Sequence, residues 1–237
     1  MEPVTLNMKK NILIIGGTSG IGAALAQQLQ EEAQLYLASR NVTEAPVNAE
    51  KINFDASTEI LPTEALPEHL DGFIYCPGSI QLRPFKGLKP DAFRADFELN
   101  VMGAIQCLQQ VLPLLQKAPQ ASVVFFSTVA VQTGMPFHAS VASAKGALEG
   151  LTRTLAAEWA PKIRVNAIAP SLVNTPLADK FLNNETKQAR AAERHPLQRV
   201  GTPEEIAAIA AFLINDNSAW MTGQIITVDG GIGSTKT

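Results

Sequence analysis

Cysteine, tyrosine, tryptophan and charge are all scarce in this chain of 237 residues, and each scarcity closes off a class of protein. Cys76 and Cys107 are the only cysteines. They are too few for a disulfide framework or a zinc site, so both read as reduced packing residues and no metal is expected. Charged residues make up 17% with a formal net charge of −3, so there is no basic excess to hold nucleic acid or an anionic membrane. The longest apolar runs fall far short of a membrane span. Residues 1–10 lack the apolar core and small-residue cleavage site of a secretory signal, and the cytoplasm is the expected location. Tyrosine occurs only at Tyr36 and Tyr75, both in stretches that read as early strands.

What is present is an apolar fraction of 46%, enough for one sizeable core. No repeat, linker or low-complexity segment divides the chain, so residues 1–237 read as a single domain. Its organising stretch is Asn11 to Leu29, NILIIGGTSGIGAALAQQL. Ile12 to Ile15 reads as a strand buried on both faces. Gly16, Gly17, Gly20 and Gly22 follow, and then Ile21, Ala24, Leu25 and Leu29 at helical spacing. Strand, glycine turn and helix make a phosphate cradle: bare backbone approaches a pyrophosphate, and the helix N-terminus offers unpaired N–H groups and the positive end of its dipole. Thr18, Ser19 and Ile21 complete the turn. Ser19 has two roles open to it, a helix cap or a donor to a phosphate oxygen.

Gln34 to Ser39 reads as a second strand, followed by Arg40. Dinucleotide folds that bind the adenosine ribose hydroxyls place an acid at this strand end. Ser39-Arg40 stands there instead. A guanidinium binds a 2′-phosphate that a carboxylate would repel, which favours NADP(H) over NAD(H). Arg40 is otherwise an exposed arginine at a strand end. Lys51 to Asp55 reads as a third strand, with Asp55 open to capping the turn that follows. Pro46, Pro62 and Pro67 shorten the neighbouring connections. Gly72 to Cys76 forms the fourth strand before Pro77-Gly78. Lys89 to Leu115 reads as one long helix that Pro113 kinks or ends. Asn100 lies on its apolar face, where a buried amide needs partners.

Ser122 to Phe126 is a fifth strand, Ala142 to Ala160 a helix, and Arg164 to Ala169 a sixth strand ending at Pro170. The polar stretch Leu177 to Arg199 reads as a substrate lid or a solvated surface helix. A helix over Pro203 to Ile214 and a strand over Gln224 to Val228 close the chain.

Taken together, Gly16-x-x-x-Gly20-x-Gly22, Asn100, Lys145, the run RVNAIAP ending at Pro170, Thr175 and the tail TGQIITVDGG resemble the short-chain dehydrogenase/reductase family over nearly the whole chain. The resemblance implies an α/β fold, a Rossmann-type three-layer sandwich whose seven-stranded parallel sheet carries helices on both faces. It also implies a homotetramer or homodimer acting on a small-molecule carbonyl or alcohol. Gly78 would lie at the cofactor ribose, Asp55 at the adenine amino group, and the Val173 backbone with the Thr175 side chain at the nicotinamide carboxamide. Lys145 would bind the ribose and Asn100 a water in the proton path. Three departures accompany the match. Tyr75-Cys76-Pro77-Gly78 replaces the usual Asn-Asn-Ala-Gly, and Ser171 replaces a glycine. The third is catalytic: the family's proton donor is a tyrosine four residues before the lysine, with a serine thirteen residues earlier still. Val141 and Thr128 occupy those positions here. His138 is a nearby titratable side chain, either a donor or simply a surface residue.

Two functions follow. One is an NADP(H)-dependent oxidoreductase in which Thr128 polarises the carbonyl, with Lys145 and Asn100 beside it and a non-standard proton route. The other is an NADP(H)-binding family member without redox turnover, acting as a sensor or partner subunit.

Overall fold

The computed structural model describes residues 9–43 and 47–235. Seven strands form one parallel sheet in the order β3-β2-β1-β4-β5-β6-β7: β1 (Lys10–Ile15), β2 (Ala33–Ser39), β3 (Glu50–Asn53), β4 (Gly72–Tyr75), β5 (Ala121–Phe126), β6 (Ile163–Pro170) and β7 (Ile225–Val228). Side-chain alternation along β1 divides the core in two. Ile12 and Ile14 pack with Leu25, Ala26 and Leu29 of α1 (Gly20–Leu29) and with Ile206, Ala210 and Leu213 of α8 (Pro203–Ile214). Leu13 and Ile15 face the other layer, with Cys107, Leu108 and Val111 of α3 (Gly103–Leu115) and Leu148 of α5 (Ala139–Trp159). The fold is the three-layer sandwich expected from the sequence.

Helix α8 begins and ends where the sequence places it. Thr202 accepts from the Glu205 amide, Glu205 reaches back to the Thr202 amide, and Pro203 occupies the first turn, so three local devices set one boundary. The stretch from Lys89 to Leu115 departs from expectation. It forms α2 (Pro90–Phe97), a π-helical turn over Glu98–Met102, and α3. Pro113 does not end α3 at once; the helix runs on to Leu115, because the missing N–H falls in a final turn with little helix left to disrupt. The third strand stops at Asn53, so Asp55 lies in the following turn and not on a strand. Of the compact helix between Pro62 and Pro67 only a 3₁₀ turn over Thr63–Ala65 forms.

From β1 the chain moves outward to β3, then crosses back to β4 on the other side of β1. The connections therefore diverge beyond the C-terminal ends of β1 and β4, where α/β sheets open a ligand crevice.

Candidate functional site: a dinucleotide groove ending at a buried lysine

A groove of about 780 Å³ opens at that divergence. Gly16, Thr18, Ser19, Gly20, Ile21 and Gly22 form its floor, Ser39, Arg40 and Asp55 one end, and Gly78 and Thr175 lie toward the other. The turn needs its glycines. Gly16 has φ +77°, and a Cβ on Gly22 would lie 2.2 Å from the Gly16 carbonyl oxygen. Ser19 is the N-cap of α1, yet its side chain makes no capping bond, so a groove-lining residue keeps its hydroxyl uncommitted at the end of a helix whose first amides lack intrahelical partners.

At the strand end after β2, among the described residues, the buried Ser39 hydroxyl has no hydrogen-bond partner and the exposed Arg40 forms no ion pair. Asp55 accepts from the Ser57 amide at 2.9 Å and from its hydroxyl at 2.6 Å. These bonds, helped by the nearby Arg40 charge, hold its carboxyl below the usual range. Asp55 thus closes a turn and walls the groove at once. An orphaned hydroxyl, an uncommitted guanidinium and a bare-backbone cradle fit a dinucleotide.

Three of the expected cofactor residues stand off the groove wall. Lys145, Pro170 and Val173 do not line it. Val173 pairs with Gly201 as an isolated bridge, and Pro170 accepts from the Val129 amide. Lys145 lies behind the groove on α5 with 6% exposure. A methyl built on Gly78 would sit 3.5 Å from the Lys145 Nζ and 3.4 Å from the Asn100 Oδ1. The lysine and the asparagine therefore converge behind one glycine of the groove.

The π-helical turn presents Asn100 there. The Tyr75 hydroxyl donates to the Leu99 carbonyl at 2.7 Å, and the Gly103 amide reaches past Leu99 to the Glu98 carbonyl. The phenol thus meets an acceptor on the widened turn, a common device at functional sites. Burial lowers the Lys145 pKa to about 8, opposed by Cys76 and Asp96. Burial likewise pushes the Cys76 thiol up to about 12, leaving it neutral. Thr128 follows β5 at the same sheet edge; its hydroxyl accepts from the Ala130 amide at 3.3 Å and bonds neither Lys145 nor Asn100. His138 is the N-cap of α5, its Nδ1 2.8 Å from the Pro136 carbonyl. Val141, one turn before Lys145, is 5% exposed.

The segment from Leu177 onward carries a 3₁₀ turn over Pro176–Ala178, α6 (Asp179–Leu182) and α7 (Glu185–Glu193). Remaining α4 is a single turn, Ala130–Thr133. Lys180 donates to the Ile80 carbonyl at 2.6 Å, reaching the loop after β4. The buried His195 joins the far end of this segment to β6, with Nε2 2.8 Å from the Ser171 hydroxyl and Nδ1 2.7 Å from the Ala191 carbonyl. Reading the sequence missed this anchor, although Ser171 in a glycine position was its trace.

A sequence profile described as enoyl-(acyl carrier protein) reductase matches residues 16–233. The chain belongs to the short-chain dehydrogenase/reductase family. A tropinone reductase homologue of Arabidopsis thaliana is 31% identical over 94% of this chain and 91% of its own length. The ligand-free aldohexose dehydrogenase of Thermoplasma acidophilum shares the fold, with a TM-score of 0.88 at 22% identity over 98% of both chains. ElxO, solved with NADP bound, gives a TM-score of 0.87 at 27% identity over 96% of this chain and 100% of that one. This short-chain dehydrogenase/reductase is an oxidoreductase of the nicotinamide-dependent class. No helix among the described residues is long and apolar enough to cross a membrane. No cluster of three or more His, Cys, Asp or Glu that could hold a metal occurs among them.

Proposed function

We propose that this chain is an NADP(H)-dependent carbonyl reductase in which Lys145 supplies the proton that a tyrosine supplies elsewhere in the family. The carrying observation is the convergence of Lys145 and Asn100 behind Gly78, with Val141 where the phenol would stand. NADPH, when bound, supplies a hydride to the carbonyl carbon. Gly16, Thr18, Ser19, Gly20, Ile21 and Gly22 would hold its phosphates, Ser39 and Arg40 its adenosine end, Asp55 its adenine, and Val173 and Thr175 its carboxamide. Pro170 ends β6 and directs the chain toward those two residues.

The Thr128 hydroxyl would donate to the carbonyl oxygen. As negative charge builds there, one N–H bond of the Lys145 ammonium breaks and an O–H bond forms, directly or through a water held by Asn100. The neutral lysine then recovers a proton from solvent. A group titrating near 8 has the right strength for this work. Below that value the amine is loaded. Reduction should therefore fall as pH rises through about 8, and oxidation of the alcohol, which needs the free amine, should rise. NADPH oxidation across a carbonyl panel, run beside calorimetric binding, tests the reading. Binding without turnover would establish the alternative of a sensor or partner subunit, which the buried apolar Val141 favours.

The cofactor preference carries its own prediction. Arg40→Ala should weaken NADPH binding by about 1.5–3 kcal/mol, the scale of a charged hydrogen bond, and leave NADH unchanged. Equal calorimetric affinities of the native protein for both cofactors would sink the assignment. A cytoplasmic homotetramer or homodimer completes the proposal; sedimentation velocity measures the assembly.

A further inference from the structure

One polar side chain beside Lys145 has no part in the scheme above. Asp96 has 0% exposure, four residues before Asn100 and so on the same side of its helix. Its Oδ1 accepts from the Ser79 hydroxyl at 2.5 Å, and its Oδ2 has no partner among the described residues. The Asn100 amide group donates to the Ser79 hydroxyl oxygen at 3.0 Å and to the Asp96 carbonyl at 2.7 Å. That pins the side chain with its Oδ1 unpartnered on the side of Gly78 and Lys145. Asp96, Ser79 and Asn100 thus form a largely buried polar chain that ends behind Gly78, the glycine that Lys145 also approaches.

A carboxylate is costly to bury without a compensating charge. The titratable groups whose charge acts on Lys145 are Cys76, just after β4, and Asp96, on α2. Cys76 is a neutral thiol at ordinary pH, which leaves Asp96 as the one of the two able to supply a compensating charge. Asp96 and Lys145 do not touch as an ion pair. Their separation leaves the ammonium protons available to other acceptors, which a direct pair would occupy.

We infer that Asp96 is the counter-ion of Lys145, a positioning residue that keeps the ammonium loaded and, through Ser79 and Asn100, aims the site's polar atoms at the space behind Gly78. Its catalytic meaning rests on the proposed function, but its electrostatic content does not.

The decisive measurement uses the full chain without cofactor, labelled at the lysine side chains. The Lys145 signal is assigned by its loss in Lys145→Met, and its titration is followed by NMR. In Asp96→Asn, which keeps the shape and the Ser79 contact, the midpoint should fall by roughly one unit. An unchanged or raised midpoint overturns the inference. Should Asp96→Asn be too unstable to titrate, urea unfolding of Lys145→Met against Lys145→Met/Asp96→Asn decides. The double variant should be the more stable, because it no longer buries a lone carboxylate. A less stable double variant would mean that Asp96 serves only the shape of α2, and overturns the inference. Neither arm needs turnover. An inactive carbonyl panel with a shifted midpoint defeats the proposed function alone, and an active panel with an unshifted midpoint defeats this inference alone.

Discussion

Val141→Tyr should raise carbonyl reduction on the order of 10²-fold, within the range a positioned acid contributes. Residues 141 and 145 lie one helical turn apart on α5, so the new phenol and the Lys145 ammonium would share a face. The ammonium favours phenolate and draws the phenol down from its ordinary value of about 10. The phenol would also relieve Lys145 of the double task proposed for it, holding the ribose and yielding a proton. The falling arm of the pH profile should then follow the tyrosine and no longer the lysine. The cost is steric. Val141 is 5% exposed, and a larger ring in a packed site loses about 1–3 kcal/mol. Urea unfolding and NADPH calorimetry therefore come before the rates. A folded, NADPH-binding variant no faster than its parent on a broad ketone panel would count against a latent reductase site.

How much of this site is readable in the sequence depends on how local its causes are. The cradle is readable, because strand, glycines and helix are contiguous and the φ of Gly16 is a local demand. So is α8, whose cap, proline and apolar period all lie within Thr202 to Ile214. Asn100 stood out as a polar residue on an apolar face. Its π-helical turn did not, since the Tyr75 hydroxyl that meets Leu99 comes from 24 residues away. Asp96 was hidden for a related reason. In PDAFRADF a carboxylate reads as part of a solvated face, and Asp91 with Arg94 forms that kind of exposed pair. Only the packing of α2 turns Asp96 inward. Asp55 shows the opposite ambiguity: both of its sequence roles are compatible with the structure, because the turn it closes is also a wall of the groove.

Arg164→Met should cost roughly 3–5 kcal/mol of stability while sparing the cofactor groove, the range for disrupting a buried charged network. Arg164 opens β6, 6% exposed, at the end of the strand away from Pro170. Its Nη1 donates to the Ser218 and Met221 carbonyls and the Ser218 hydroxyl, and its Nη2 to the Leu213 and Asn215 carbonyls. Leu213 lies in the last turn of α8 and Asn215 caps it, so a buried cation also meets the negative end of the helix dipole. Burial lowers the Arg164 pKa, yet the guanidinium stays charged because its ordinary value is so high. Methionine matches the length of the stem but donates nothing. The carbonyls keep weaker donors: Ser122 and Ser218 at Leu213, and Asn166 at Met221. Those residual bonds should hold the loss within the stated range and prevent complete unfolding. For a domain of this size the melting temperature should drop by about 10 °C. The groove forms at the opposite ends of the strands, so NADPH affinity per folded molecule should stay at its parental value. Calorimetric titration at a temperature where both proteins are folded checks this. A variant that melts with the parent would show that the serine and asparagine donors alone secure the end of α8, and one that melts early and also loses NADPH affinity would show that the anchor reaches the site along β6.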